Sequence, residues 1–149
     1  MFRGNITATV DEKGRLKIPA DFKAILDEKC HGQDFFITSL EENLVRVYPL
    51  VEWIEVEKSL APVVGERDAN RAKKEIINRA NFWGRTERAD PQGRVLLPAL
   101  LRESLGILGE VAVMGKIKFL EVTNLGAARE QMSQPLSEAA KDTMAGLGI

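Results

Sequence analysis

The residues of this chain best equipped for chemistry are two arginines, Arg15 and Arg94, which end the related stretches DEKGR (residues 11–15) and DPQGR (residues 90–94). Arginine carries a planar, permanently charged fork. It can bridge phosphate oxygens, or read guanine O6 and N7 through two hydrogen bonds. An arginine four residues after an aspartate can equally brace a turn against that carboxylate, so both roles are open at this point. Lys13 adds a second cation to the first stretch, whereas Pro91 and Gln92 stand where Glu12 and Lys13 do in the other. The following residues alternate: Leu16 and Ile18 point inward and Lys17 outward, with Val95 and Leu97 inward in the second stretch and Leu96 in place of Lys17.

Catalysis finds little support. No HExxH, GxSxG, P-loop or GxGxxG pattern occurs, and the single histidine, His31, has no serine or second cysteine placed with it. Cys30 is the only cysteine, which rules out an intrachain disulfide and leaves Cys30 and His31 too few for a zinc site. Glu41 and Glu42 lie at an expected turn, where solvent exposure accounts for them. The chain is therefore expected to be no enzyme, with no cofactor and no small-molecule substrate. At 149 residues, 44% hydrophobic and 29% charged, it has the composition of a soluble globular protein. Its amino terminus lacks an apolar signal core and no run is long enough to cross a bilayer, so a cytoplasmic location without membrane contact is expected. A formal net charge of -1 excludes a uniformly basic nucleic-acid coat; any basic patch must be local.

The two stretches belong to a longer repeat. Asp11 aligns with Asp90, Gly14 with Gly93, Pro19 with Pro98 and Leu26 with Leu105; with the second copy four residues shorter in the middle, NLVRVYPL (43–50) falls on KFLEVTNL (118–125). FRG (2–4) likewise resembles FWGR (82–85). Each unit of roughly fifty residues reads as strand, tight turn, strand, helix, strand, turn, strand. Asp11 and Asp90 can accept backbone hydrogen bonds at the tip, and Gly14 and Gly93 can take the positive φ that closes it. Pro19 and Pro98 suit the first turn of the helices at 20–29 and 99–106, with Gly106 as a stop. Two connecting helices follow from the stripe of Leu50, Trp53, Ile54 and Leu60 and from that of Ala69, Ala72, Ile76, Ala80 and Trp83. The second carries an excess of cations from Arg67 to Arg88, read mainly as a solvated face. Trp53, Phe82 and Trp83 are read as core or subunit contacts. Residues 1–60 thus form a first repeat with its helix, 61–81 a charged connecting helix, 82–130 a second repeat, and 131–149 a mobile tail with a frayed helix near 136–144.

MFRG at the start, DEKGRLKIP, VYPLVEW (47–53), DPQGRVLLP and the LR at 101–102 together resemble the MraZ family of bacterial transcriptional regulators. The resemblance spans roughly residues 1–125. It implies an α+β fold of AbrB/SpoVT type, mainly β, in which two tandem swapped-hairpin half-units form a pseudo-symmetric barrel and chains assemble into rings. It also implies binding of double-stranded DNA at repeated promoter boxes ahead of a cell-division and cell-wall gene cluster, hence association with the nucleoid. Carried over position by position, Arg15, Lys13 and Arg3 are the main DNA-binding candidates, followed by Lys17 and Arg94, with Asp11, Gly14, Asp90 and Gly93 as structural turn residues. The second tip, short of a cation, is expected to contribute less. The rival expectation is a non-catalytic interaction protein of the same fold, antitoxin-like or a ring scaffold.

Overall fold

The computed structural model describes residues 1–29, 32–41 and 43–149. The expectations for Cys30, His31 and Glu42 lie outside those residues. In chain order the elements are β1 (Asn5–Val10), β2 (Arg15–Lys17), α1 (Ala20–Glu28), β3 (Asp34–Thr38), β4 (Val45–Pro49), α2 (Leu50–Ser59), α3 (Arg67–Trp83), β5 (Arg85–Arg88), β6 (Arg94–Leu96), α4 (Ala99–Leu105), β7 (Gly109–Gly115), β8 (Leu120–Asn124), α5 (Leu125–Met132) and α6 (Glu138–Leu147). Pro19, Pro49 and Pro98 sit at the N-caps of α1, α2 and α4, just ahead of the first helical turn. Gly106 ends α4 in the left-handed conformation, as its position suggested.

The strands run in the order β5-β3-β4-β8-β7-β1-β2-β6, with every pairing antiparallel. The outer strands β5 and β6 meet at the second tip, where the Asp90 N–H donates to the Arg94 carbonyl at 2.8 Å. The sheet is therefore a nearly closed barrel. Its two copies are interleaved: β1 of the first pairs with β7 of the second, and β5 of the second pairs with β3 of the first. The remaining copy-to-copy contacts lie on a pseudo-two-fold axis. Leu16 is paired with Val95 between β2 and β6, and Arg46 with Glu121 between β4 and β8.

Alternation of side chains across the strands splits the core into layers. Inside the barrel, Val10, Leu16, Ile37, Val45, Val47, Val95, Val111, Val113, Leu120 and Val122 pack with Phe2, Phe22, Leu26 and Leu101. Outside it, α2 and α3 cover Phe36 and Tyr48 with Trp53 and Ala80, while α5 places Leu125 and Ala128 over Ala112. Trp53 stacks on Phe36 with ring centroids 4.4 Å apart. Of the two expectations for Phe82, core or subunit contact, its exposure removes the first: it is 68% exposed, set edge-on against the half-buried Trp83. The carboxyl-terminal segment forms a helix capped at both ends by Ser137 and Gly148, and none of its residues is buried.

Candidate nucleic-acid interface

The two tips are built alike, bond for bond. At the first, the N–H groups of Lys13 and Arg15 donate to Asp11 Oδ1 at 3.0 and 2.9 Å, and Arg15 Nε donates to Oδ2 at 2.8 Å. At the second, Gln92 and Arg94 N–H groups donate to Asp90 Oδ1 at 2.9 Å each, and Arg94 Nε to Oδ2 at 2.8 Å. Gly14 and Gly93 take φ of 82° and 77°, and their N–H groups close the turns onto the Asp11 and Asp90 carbonyls at 2.9 Å. Both carboxylates titrate below the ordinary value of 3.8. The largest cause is the backbone N–H of Arg15 or Arg94; partial desolvation opposes it and the arginine side chain reinforces it.

Bracing is thus a demonstrated role of both arginines, and it engages Nε alone. Among the described residues no bond to the terminal nitrogens of Arg15 or Arg94 occurs, and their side chains are 30% and 29% exposed. The brace also orients: it holds each guanidinium over the outward face of its strand. Inward Leu16 and Val95, both fully buried, fix which face that is. Truncating either would cost about 1–5 kcal/mol by the usual penalty for buried aliphatics, and a one-residue slip would turn the cations into the core.

Each tip is tied to the other copy. The Leu97 N–H donates to the Gly14 carbonyl and the Ile18 N–H to the Gly93 carbonyl, both at 2.9 Å. Arg102 of α4 lies directly over Gly14, so that a Cβ there would fall 2.2 Å from its Nε and Cζ. Arg102 Nε in turn donates to the Leu97 carbonyl at 3.0 Å. At the pseudo-equivalent place Lys23 of α1 passes Gly93, with its Cδ 3.5 Å from where a Cβ would stand. Sequence reasoning did not single out this helical pair of cations. The offset that aligns Asp11 with Asp90 also aligns Lys23 with Arg102, and that was the available signal.

The other candidates fall in two groups. The structure brings Lys17 and Arg94 together as cross-strand partners, with Arg15 opposite Leu96. Arg94 therefore has a lysine beside it after all, supplied by the first copy, and the basis for expecting a weaker field at its strand is corrected to that extent. Lys13 is exposed at the first tip. Arg3 is not with them. The N–H and carbonyl of Phe2 bond Ile117 and the Gly4 carbonyl accepts from Gly115, which puts Arg3 beyond the far end of the six-residue β1, roughly 20 Å of strand from the tip. On α3, Arg67, Arg71, Lys73, Lys74 and Arg79 are solvent-facing to differing degrees, and Asn70 bonds both the N–H and carbonyl of Val63 to steady the α2–α3 turn. Among the described residues no group of histidine, cysteine, aspartate and glutamate could hold a metal, and no helix is long and apolar enough to cross a membrane.

Interleaved hairpins, paired DxxGR tips and a nearly closed antiparallel sheet define a double-motif barrel of AbrB/SpoVT type. The family described as "MraZ protein, putative antitoxin-like" matches residues 1–75. Proteins named Transcriptional regulator MraZ are similar throughout: that of Acidobacterium capsulatum is 45% identical over 150 residues, covering 100% of both chains. That of Koribacter versatilis is 40% identical, again over 100% of both, and that of Moorella thermoacetica 40% identical over 82% of this chain and 80% of its own. The chain belongs to the MraZ family.

Proposed function

We propose that this protein is a transcriptional regulator that binds double-stranded DNA through the outward face of β2 and β6 and the adjoining tips. The observation that carries the reading is the ribbon itself. Arg15, Lys17 and Arg94 share one face of a two-stranded antiparallel pair, and such a ribbon is a size that the major groove admits. The guanidinium forks are held by Asp11 and Asp90 before any ligand arrives, so little side-chain freedom remains to be lost on binding. The names of the relatives supply the regulatory role.

The target we propose is a set of repeated boxes ahead of a cell-division and cell-wall gene cluster that includes the protein's own gene, engaged at the nucleoid by a ring of chains. A head-to-tail contact repeated with a fixed rotation either closes into a ring or grows into a filament, and closure would array identical tips along one perimeter. The test is a footprint and an anisotropy titration on the duplex directly upstream of the encoding gene, with a scrambled duplex as control. Binding that is specific and falls steeply with salt is the expected result. Equal affinity for both duplexes would overturn the reading. The family description also names an antitoxin-like character; copurification of a small toxic partner with no promoter affinity would favour that second reading.

A further inference from the structure

Two rows of side chains cross the outward face of the barrel and are related by the pseudo-two-fold axis. The first follows from the pairings Thr9 with Glu110, Val10 with Leu16, and Lys17 with Arg94. It reads Glu110, Thr9, Lys17, Arg94 across β7, β1, β2 and β6. The second follows from the pairings Asp34 with Arg88 and Arg15 with Leu96, and from the Asp90-to-Arg94 bond that matches the Asp11-to-Arg15 bond of the first tip. It reads Asp34, Arg88, Leu96, Arg15 across β3, β5, β6 and β2. Each row starts with a carboxylate, ends with a braced arginine, and contains one further cation.

That further cation stands in different places. In the first row it is Lys17, with Thr9 beside it. In the second, Leu96 occupies the lysine's position and Arg88 the threonine's. Loss of charge on β6 is thus matched by a gain on its neighbour β5. The Arg88 side chain is 71% exposed and, among the described residues, is held only by a long ion pair to Asp34, 3.3 Å from Oδ1 and 3.4 Å from Oδ2, an arrangement worth little in water. A phosphate could replace that carboxylate at small cost.

We infer that Arg88 is a DNA contact of this protein, completing a quasi-two-fold patch in which Arg15 and Arg88 serve one half and Arg94 and Lys17 the other. The inference rests on the DNA-binding reading above and assigns to its site a residue outside both motifs. It also gives Asp34 a role, as the internal carboxylate that competes with phosphate for Arg88.

The experiment is an anisotropy titration of the full chain against the labelled duplex upstream of its gene, over a series of salt concentrations. Arg88→Ala should keep the wild-type melting temperature, weaken binding several-fold, and reduce the slope of log affinity against log salt by about one. Leu96→Lys added to Arg88→Ala should restore most of the affinity, because it returns the cation to the place it has in the first row. Asp34→Asn alone should tighten binding. Unchanged affinity and slope in Arg88→Ala, or a loss that Leu96→Lys fails to restore, would overturn the inference while leaving the regulator reading standing. Failure of the wild-type chain to bind any duplex would instead remove the reading on which it rests.

Discussion

At the scale of single residues, Asp11 and Asp90 decide how two arginines are presented. Each carboxylate uses both oxygens to fix a backbone turn and a guanidinium together, so the brace is compatible with the contact proposed above and does not compete with it. Arg15→Ala should keep fold and assembly but lower promoter affinity by tenfold or more, on the scale of about 1–3 kcal/mol for a good arginine contact. Arg94→Ala should fall short of that, since Gln92 stands where the first tip has Lys13. Its deficit should be modest because Lys17 lies directly across from it. Anisotropy at one fixed salt concentration measures both; a larger loss from Arg94→Ala would refute the ranking, and an unfolded Arg15→Ala protein would reduce Arg15 to a brace.

The same carboxylates make a prediction about acid. Their folded values lie below the ordinary 3.8, so the unfolded chain binds protons first as pH falls. The stabilisation is then fully present above about pH 4 and lost as pH drops through the lowered folded values. Melting temperature should be flat from neutral pH to about 5 as far as the tips are concerned, and fall below 4. In the Asp11→Asn, Asp90→Asn double variant that acid decline should be shallower; an unaltered decline would assign it to other carboxylates.

At the scale of elements, the tips show how a shared turn can carry unequal tolerance. Gly14 and Gly93 have the same positive φ, which costs any β-carbon on the order of 1 kcal/mol. Only Gly14 lies beneath an arginine, at a distance that leaves no room for a Cβ. Gly14→Val should therefore lower the melting temperature more than Gly93→Val and also disturb Arg102, whose Nε bonds the end of β6 at Leu97. Equal losses measured by thermal denaturation would count against this. The turns, the strands and the helix starts were legible in the sequence because each is specified by neighbours: Asp, Gly and Pro at fixed offsets, then a period of two. The pairing of strands between copies was not. It joins residues from 48 positions apart (Ile37 and Arg85) to 109 (Asn5 and Met114), and no local pattern tells β2 that its partner is β6. The misplacement of Arg3 has a local cause: the resemblance grouped it with Lys13 and Arg15, though the whole extended length of β1 lies between it and the tip. The inter-copy pairing, by contrast, is why the partnership of Lys17 with Arg94 went unseen.

For the whole molecule, the formal net charge of -1 has to be squared with a DNA-binding role. A local patch of a few cations gives modest single-site affinity. Linked copies of that patch make later contacts intramolecular, with gains of roughly 10² to 10⁴ when the spacing of sites suits the assembly. Light scattering should accordingly report a discrete oligomer, and duplexes with several boxes at natural spacing should bind far more tightly than a duplex with one. A monomeric mass, or equal affinity for single and repeated boxes, would refute this.

The interleaving of β1 with β7 and of β5 with β3 bears finally on how the protein is made. A chain emerging from the ribosome presents its first copy well before β7 exists, and that copy alone pairs β1 with β2 on one edge, leaves its other edge open and has only part of a barrel to fill. Contacts of such long range are slow to form, since the loop between them must be closed before they contribute. The two arginine tips, each tied by a backbone bond to the opposite copy, consequently assume their final geometry together. Synthesis interrupted before β7 leaves β1 without its longest pairing and the barrel incomplete.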